Sequence, residues 1–144
     1  MDYLMLSDII VTPLQRIARE GGDVMHAMKY SDSGFSGFGE AYFSWIAPGV
    51  VKAWKLHRRM TLNLVAPLGV VRLVFYLPDS AGFRMEEIGD INYSRLTVPP
   101  GIWFGFQGRG GTPSLLLNLA DIPHDPLEVE HRKLGEIPYN WPSL

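Results

Sequence analysis

Residues 48–69, PGVVKAWKLHRRMTLNLVAPLG, decide the fold expected for this chain. Residues 50–56 and 62–66 are short runs of β-branched, aromatic and aliphatic side chains, which is typical of strands, and residues 67–69 form a turn. A dense cluster of cations interrupts the apolar pattern, namely Lys52, Lys55, His57, Arg58 and Arg59. Because a desolvated charge is costly unless it is paired, these side chains either reach solvent at a strand end or line a cavity built for an anion.

Size and composition bound the class of protein. The chain has 144 residues, 47% hydrophobic composition and a net charge of −2, as expected for one globular domain without a general nucleic-acid footprint. It has no cysteine, which excludes disulfides and Cys-ligated metals. The most apolar run, residues 64–77, is too short to span a bilayer, and the N-terminus lacks the features of a secretory signal. We therefore expect a soluble cytoplasmic protein that binds neither nucleic acid nor membranes.

The rest of the chain reads as further short strands separated by Gly and Pro turns. These strands are expected at residues 9–11, 38–46, 70–77, 85–90, 93–98, 103–106 and 114–119; residues 14–20 and 23–30 are ambiguous, and residues 127–132 suggest a helical turn. About eight to ten strands without a long helix predict an all-β fold, a jelly roll in a single domain over residues 1–144. Because several strands are apolar on both faces, we also expect a homodimer that buries one outer face.

Two segments resemble the signatures of the cupin superfamily. Residues 49–69 are similar to the first cupin segment, with its His-x-His pair and later Glu, and residues 98–106 to the second, Pro-x-Gly-x-x-His. The metal-ligand positions carry Lys55, His57, Leu62 and Phe104 here. Since a lone histidine does not hold a metal against water, the resemblance implies a double-stranded β-helix with no metal or other cofactor.

A closer resemblance is to the dTDP-4-dehydrorhamnose 3,5-epimerase family of metal-free cupins. It covers nearly the whole chain. Residues 17–26 are similar to the family's Asp-x-Arg-Gly loop and Phe-x-Glu strand, and residues 40–54 to its Gln-x-Asn-x-Ser strand and Gly-Val-Leu-Arg-Gly-Leu-His run. Residues 98–106 are similar to its Ile-Pro-x-Gly-Phe-x-His-Gly-Phe corner, and residues 137–142 to its Ile-x-Trp-Pro segment. The resemblance implies a homodimer that handles a nucleotide-linked sugar in polysaccharide or deoxysugar biosynthesis.

The resemblance does not extend to the family's catalytic positions. The base histidine falls on Lys55, the enolate-stabilising lysine on Leu62 and the acid tyrosine near Leu117. Epimerisation next to a ketone needs a base, an acid on the other face and an enolate stabiliser, so these residues do not support the standard double epimerisation. The candidate catalytic residues are instead Lys55 and His57, because a lysine beside another cation can act as a base or form an imine with a ketone. The alternative is that Lys55 forms a structural ion pair with Glu40 or Glu86.

The candidate substrate-binding residues are Lys52, Glu40, Tyr42, His26, Trp103 and Asn118. Lys52 falls on the family's diphosphate-binding arginine, and Arg58 or Arg59 either joins it at a phosphate or lies solvated at a strand end. Trp103 and Tyr42 either stack on a ring of the ligand or belong to the core.

The register of residues 38–46 is open in two ways. Alternation alone turns Phe43 and Trp45 into the core, whereas the family register turns Glu40 and Tyr42 into the barrel. We expect the family register, because dimerisation would then cover the second apolar face.

Three functions remain open. The first is a sugar-nucleotide epimerase or isomerase with Lys55 or His57 as base, and the second is a 3,4-ketoisomerase. The third is a non-catalytic cupin that binds a sugar nucleotide or a protein partner.

Overall fold

The computed structural model describes residues 3–144 and consists almost entirely of strands. The strands are β1 (Ile10–Pro13), β2 (Arg16–Ile17), β3 (Val24–Met25), β4 (Glu40–Ile46), β5 (Val51–His57), β6 (Leu62–Leu68), β7 (Val70–Tyr76), β8 (Phe83–Gly89), β9 (Ser94–Val98), β10 (Trp103–Gly108), β11 (Ser114–Ala120) and β12 (Val129–His131). Helical structure in residues 3–144 is confined to short 3-10 turns at Leu6–Asp8, Pro126–Glu128 and Leu134–Glu136. None of these helical turns is long and apolar enough to cross a membrane.

Two five-stranded sheets face each other and form the predicted jelly roll. The first has the strand order β1-β9-β6-β11-β4 and the second β12-β5-β10-β7-β8, while β2 and β3 form a separate hairpin. The core between the sheets is aliphatic and aromatic, with Leu62, Leu64, Leu73, Phe75, Leu96 and Leu116 among its buried members. The expected strand pattern is therefore confirmed for the long strands.

The ambiguous segments differ from the expectation. Residues 14–20 and 23–30 contribute only the two-residue strands β2 and β3, because Gly21 and Gly22, both with positive φ, form the tip between them. The prediction of a helical turn at residues 127–132 is wrong for the second half of this segment, which forms β12 and pairs with β5. Strand β6 continues two residues beyond its expected end, and Gly69, with φ +85°, makes the turn into β7.

The C-terminal segment covers the outer face of the second sheet. Trp54, Val74 and Trp103 from this sheet form a buried cluster with Ile137, and Trp141 packs against it with its ring centroid 5.5 Å from that of Trp54. The Trp54 indole Nε1 donates to the Leu134 carbonyl at 3.1 Å. The second apolar face of these strands is thus buried within the same chain.

The loop between β3 and β4 covers part of the outer face of the first sheet. Arg95 on β9 is fully buried, and its Nη1 donates to the Ala27 carbonyl at 2.7 Å and lies 3.4 Å from Asp32. The Asn63 side chain donates to the Gly34 carbonyl at 3.0 Å. The premise of the dimer prediction, that one chain cannot supply a second cover, is therefore wrong for much of both sheets. The homodimer itself stays a prediction.

The first prediction concerns the C-terminal cover. Ile137 is 1% exposed within the outer cluster, so Ile137→Ala should lower the free energy of unfolding by about 2–5 kcal/mol, through lost burial and the cavity left behind. Leu127, in the same segment but 84% exposed, is the control, and Leu127→Ala should change it by less than about 0.5 kcal/mol. Urea unfolding of both variants measures the difference. Equal effects would mean that the segment does not stabilise the sheet.

Candidate functional site

An extra residue in β5 decides which of its side chains reach the cavity between the sheets. Strand β10 pairs Phe104 with Lys55 and Gly105 with Ala53, so Trp54 has no partner in β10. In a regular strand, side chains three positions apart point to opposite faces. Trp54 is the extra residue of a β-bulge, which removes this difference. Lys52 and Lys55 therefore pair with the inward Phe106 and Phe104 of β10, while the Trp54 side chain joins the outer cluster. His57, two residues after Lys55, shares its face.

Two connected pockets lie on this face. The inner pocket has a volume of about 50 Å³ and is lined by Tyr42, Ser44, Lys55, His57, Leu62, Leu64, Phe104, Phe106, Leu116 and Asn118. The outer pocket has a volume of about 340 Å³ and is lined by Ser44, Lys52, Ala53, Trp54, Lys55, Phe104, Phe106, His131 and Arg132. Because they share Ser44, Lys55 and the two phenylalanines, a single ligand can extend from one into the other.

A buried histidine–carboxylate pair stands at the inner pocket. His57 is 7% exposed and Glu128 3% exposed, and the distance from His57 Nδ1 to Glu128 Oε2 is 2.6 Å. The imidazole ring stacks on Phe104 with a centroid distance of 5.9 Å. Because a carboxylate only accepts hydrogen bonds, Nδ1 is the donor, so in the neutral imidazole Nε2 is the nitrogen without a proton and can accept one from a ligand.

Glu128 is held in its charged form by several donors. Its second oxygen, Oε1, accepts hydrogen bonds from the backbone N–H groups of Arg59 at 3.1 Å and Met60 at 2.9 Å. Burial raises the pKa of the Glu128 carboxyl, but the hydrogen bonds from His57, Met60 and Arg59 outweigh it, so the pKa lies below its ordinary value. A fixed carboxylate of this kind orients the imidazole and stabilises its protonated form.

Lys55 lies where the two pockets meet. It forms no ion pair within residues 3–144, and Glu86, one of the partners considered for it, pairs instead with Arg84 at 3.3 Å. The expectation of a structural ion pair with Glu86 or Glu40 is therefore wrong. Lys55 is exposed toward the pockets as an uncompensated cation.

Among residues 3–144, the outer pocket is lined by four basic side chains and by no carboxylate. Lys52 donates from Nζ to the Trp45 carbonyl at 2.8 Å, and the Arg132 guanidinium lies 4.5 Å from the centroid of the Trp103 ring. His131 stands directly opposite Lys55 in the pairing of β12 with β5. Such a pocket suits a ligand with more than one negative charge.

The other two cations of the cluster face away from this pocket. Arg58 pairs with Glu130 at 3.2 Å and Arg59 with Asp125 at 2.9 Å, and all four side chains are substantially exposed. Of the alternatives considered, the solvated strand end is the one observed, because the C-terminal segment supplies their carboxylate partners.

Tyr42 and Asn118 form the polar part of the opposite wall. Asn118, 3% exposed, donates from Nδ2 to the Tyr42 hydroxyl at 3.0 Å, and its Oδ1 accepts from the Asn63 backbone N–H at 3.2 Å. Phe43 and Trp45 point away from the cavity and are 61% and 58% exposed. The register expected from the family resemblance is thus the one observed at Tyr42.

The structure brings together most, but not all, of the predicted site residues. Tyr42, Lys55, His57 and Asn118 line the inner pocket and Lys52 the outer one. Three others line neither pocket: Trp103 belongs to the outer aromatic cluster, His26 follows β3 with its carbonyl bonded by Tyr93, and Glu40 begins β4 opposite Ala120. Trp103 is excluded because it precedes the inward Phe104 and therefore points outward.

Sequence reasoning missed Glu128 and Arg132. Both lie in the C-terminal segment, which was expected to be irregular, and only the pairing of β12 with β5 brings them to the site. Within residues 3–144, no three His, Asp or Glu side chains form a group that could hold a metal ion.

Two curated proteins are similar in sequence to this chain. A Haloferax volcanii protein named "Probable low-salt glycan biosynthesis epimerase" is 30% identical over 106 residues, which cover 69% of this chain and 66% of that protein, just under two thirds of its length. The spore coat polysaccharide biosynthesis protein SpsL of Bacillus subtilis is 23% identical over 146 residues, covering 95% and 97%. No protein-family model matches the chain.

Solved structures match nearly the whole chain. A dTDP sugar isomerase from Desulfovibrio desulfuricans is 38% identical with a TM-score of 0.87, covering 92% of this chain and 90% of that one. A dTDP-4-dehydrorhamnose 3,5-epimerase from Bacillus anthracis, with TDP and PPi bound, is 14% identical with a TM-score of 0.80, covering 96% and 87%. A histidine variant of a 3,4-ketoisomerase from Thermoanaerobacterium thermosaccharolyticum, in complex with TDP-4-keto-6-deoxyglucose, is 19% identical with a TM-score of 0.75, covering 89% and 90%. The last two identities support the fold alone.

The second prediction follows from the lowered pKa of Glu128. A carboxyl whose pKa is lower in the folded than in the unfolded chain stabilises the fold above its unfolded pKa, and this contribution is lost as the pH falls through its folded pKa. The stability advantage of the native protein over Glu128→Gln should therefore be largest near pH 7 and shrink on acidification below about pH 4. Urea unfolding between neutral and acidic pH measures it.

Glu130→Gln is the matched control, because Glu130 forms only an exposed ion pair with Arg58. Glu130→Gln should change the free energy of unfolding by less than about 1 kcal/mol at every pH. A Glu128→Gln difference that is independent of pH would contradict the assignment of a buried, charged Glu128.

Proposed function

Because the chain belongs to the family of the dTDP sugar isomerase that it matches at 38% identity, we propose that it moves a proton at a carbon next to the ketone of a dTDP-linked 4-keto-6-deoxy sugar. The observation that carries the proposal is the buried His57–Glu128 pair, in an inner pocket that opens into a pocket lined by cations. The first feature suits proton abstraction, and the second suits a diphosphate.

His57 is the base of the proposed reaction. Its Nε2 accepts a proton from the carbon beside the ketone, and Glu128 stabilises the imidazolium that results. Lys55, one of the two candidate bases from the sequence, is assigned a different role. As an exposed cation two residues before His57, it stabilises the negative charge that develops on the ketone oxygen.

The outer pocket is the proposed site of the diphosphate. Lys52, Lys55, His131 and Arg132 surround it, and the pocket volume of about 340 Å³ lies within the range of small-molecule sites. Lys52 contributes its charge without the planar fork of an arginine, and the Arg132 guanidinium packs on the outward Trp103 ring. The inner pocket, of about 50 Å³, admits only the reacting edge of the sugar.

Three broader statements belong to the same proposal. The reaction serves polysaccharide or deoxysugar biosynthesis, as the names of the relatives suggest. The chain works as a homodimer, with the exposed Phe43 and Trp45 in the contact. It acts in the cytoplasm, where nucleotide-linked sugars are consumed.

The third prediction tests the base. In D₂O, the protein should exchange protons beside the ketone of TDP-4-keto-6-deoxyglucose, as observed by NMR. His57→Gln should slow the exchange by about 100- to 10,000-fold, because the general base is lost. His124→Gln, at an exposed histidine remote from the pockets, is the control and should leave the rate unchanged.

Exchange that persists in His57→Gln would contradict the assignment of the base. Binding of the substrate by the unaltered protein without any exchange would contradict the proposed catalysis and favour the non-catalytic alternative.

The fourth prediction tests the anion site by thermal shift with dTDP, UDP and GDP. At a concentration 100 times the Kd, dTDP should stabilise the protein by about 2.7 kcal/mol. Lys52→Met should raise the Kd by roughly tenfold, because one charge-assisted hydrogen bond, worth about 1.5–3 kcal/mol, is weakened or lost. Lys29→Met, at an exposed lysine outside both pockets, should not change it. Stabilisation by none of the three nucleotides would contradict the proposal.

A further inference from the structure

We propose that Tyr42 is a second catalytic residue of this site: it donates a proton to the sugar from the wall opposite His57, so that the reaction inverts a carbon beside the ketone. The inference rests on the proposed function, and it assigns to a residue of β4 the acid role that the family places near Leu117. It also decides between epimerisation and migration of the ketone, which begin with the same proton abstraction.

The first argument is the placement of the two groups. Tyr42 belongs to β4 in the first sheet and His57 to β5 in the second, and both line the inner pocket between these sheets. A sugar edge inserted between the sheets therefore meets the imidazole from one side and the phenol from the other. Inversion requires this arrangement, with the proton removed on one face and returned on the other.

The second argument is the direction of the hydrogen bond between Asn118 and Tyr42. The Asn118 Oδ1 accepts from the Asn63 backbone N–H, which can only donate, so the amide must turn its Nδ2 toward the Tyr42 oxygen. Tyr42 is then the acceptor in this bond, and its own O–H remains free to donate. Asn118 is therefore a positioning residue that aims the phenol while leaving its proton for a ligand.

The third argument is that no other side chain on this wall of the inner pocket is as good a proton donor as Tyr42. Besides Tyr42, Asn118 and Ser44, the side chains that the first sheet contributes to this wall are Leu62, Leu64 and Leu116. Ser44 also lines it, but an aliphatic hydroxyl is a far weaker acid than a phenol. Near the position of the family's acid, the side chain that faces the pocket is Leu116, which carries no proton to give.

The reaction balances without an oxidant or a reductant. His57 Nε2 takes the proton from carbon, the electron pair of the C–H bond becomes a C=C bond, and the carbonyl pair moves to oxygen, beside the Lys55 ammonium. In the return step the oxygen pair re-forms the C=O bond, and the C=C pair takes the proton of the Tyr42 O–H on the other face. Solvent then removes the proton from His57 and restores that of Tyr42, which leaves the enzyme unchanged.

The fifth prediction separates the two half-reactions of TDP-4-keto-6-deoxyglucose in D₂O. Tyr42→Phe should form the epimer about 100- to 10,000-fold more slowly, the usual contribution of a general acid. It should still exchange deuterium into the unepimerised substrate, because His57 remains. Tyr30→Phe, at a tyrosine that is 85% exposed, is the matched control and should behave like the unaltered protein.

A variant of Asn118 tests the positioning role. In Asn118→Asp, one carboxylate oxygen still accepts from Asn63, while the other accepts from the Tyr42 hydroxyl and so ties up its proton. This variant should lose epimer formation and retain exchange, as Tyr42→Phe does, whereas loss of folding would abolish both. Circular dichroism checks that it is folded.

Two outcomes would overturn the inference while the proposed function stands. One is formation of the epimer at an unchanged rate by Tyr42→Phe. The other is a product in which the ketone has moved to the neighbouring carbon, since His57 alone can carry that proton along one face. Absence of exchange in the unaltered protein would instead contradict the proposed function.

Discussion

Trp54, the residue of β5 that has no partner in β10, is the feature around which the site and its surroundings are assembled. One added residue turns the cations of this strand toward the cavity and the indole toward the outer face, where the C-terminal segment packs on it. The same segment then pairs with β5 through β12 and carries Glu128 to His57. Burial of Trp54 and orientation of the imidazole are thus two results of one docking event, so the stability of the outer cluster and the geometry of the reactive pair are coupled.

The two pockets differ in their electrostatic properties. The outer pocket is wide and cationic, so it attracts a charged ligand without excluding water. The inner pocket is narrow, and half of the ten side chains that line it are leucine or phenylalanine, so a charge that develops among them is weakly screened by water. Of the three proposed reactive groups, His57 is buried in this setting, whereas Lys55 and Tyr42 remain partly open to solvent.

The sequence predicted the strands, because two-residue periodicity and Gly/Pro turns are local signals. Through the family resemblance it also placed Lys55, His57 and Tyr42 inside the barrel. It did not predict Glu128, because contact between residues 57 and 128 depends on how the C-terminal segment folds back. Trp103 lines neither pocket for a related reason: an aromatic ring suits a ligand, but its neighbour Phe104 occupies the inward position.

The spacing of Lys55 and His57 determines which other positions of the strand could carry a reactive group. Side chains two positions apart on a strand open into the same chamber, whereas a shift by one position sends a group to the other side of the sheet. A base can therefore stand at either of two positions on the strand that are two residues apart, provided that a carboxylate lies close enough to orient it. In this chain a lysine stands where the family resemblance places the base and a histidine stands two residues later, so one chamber can hold different reactive groups without a change of fold.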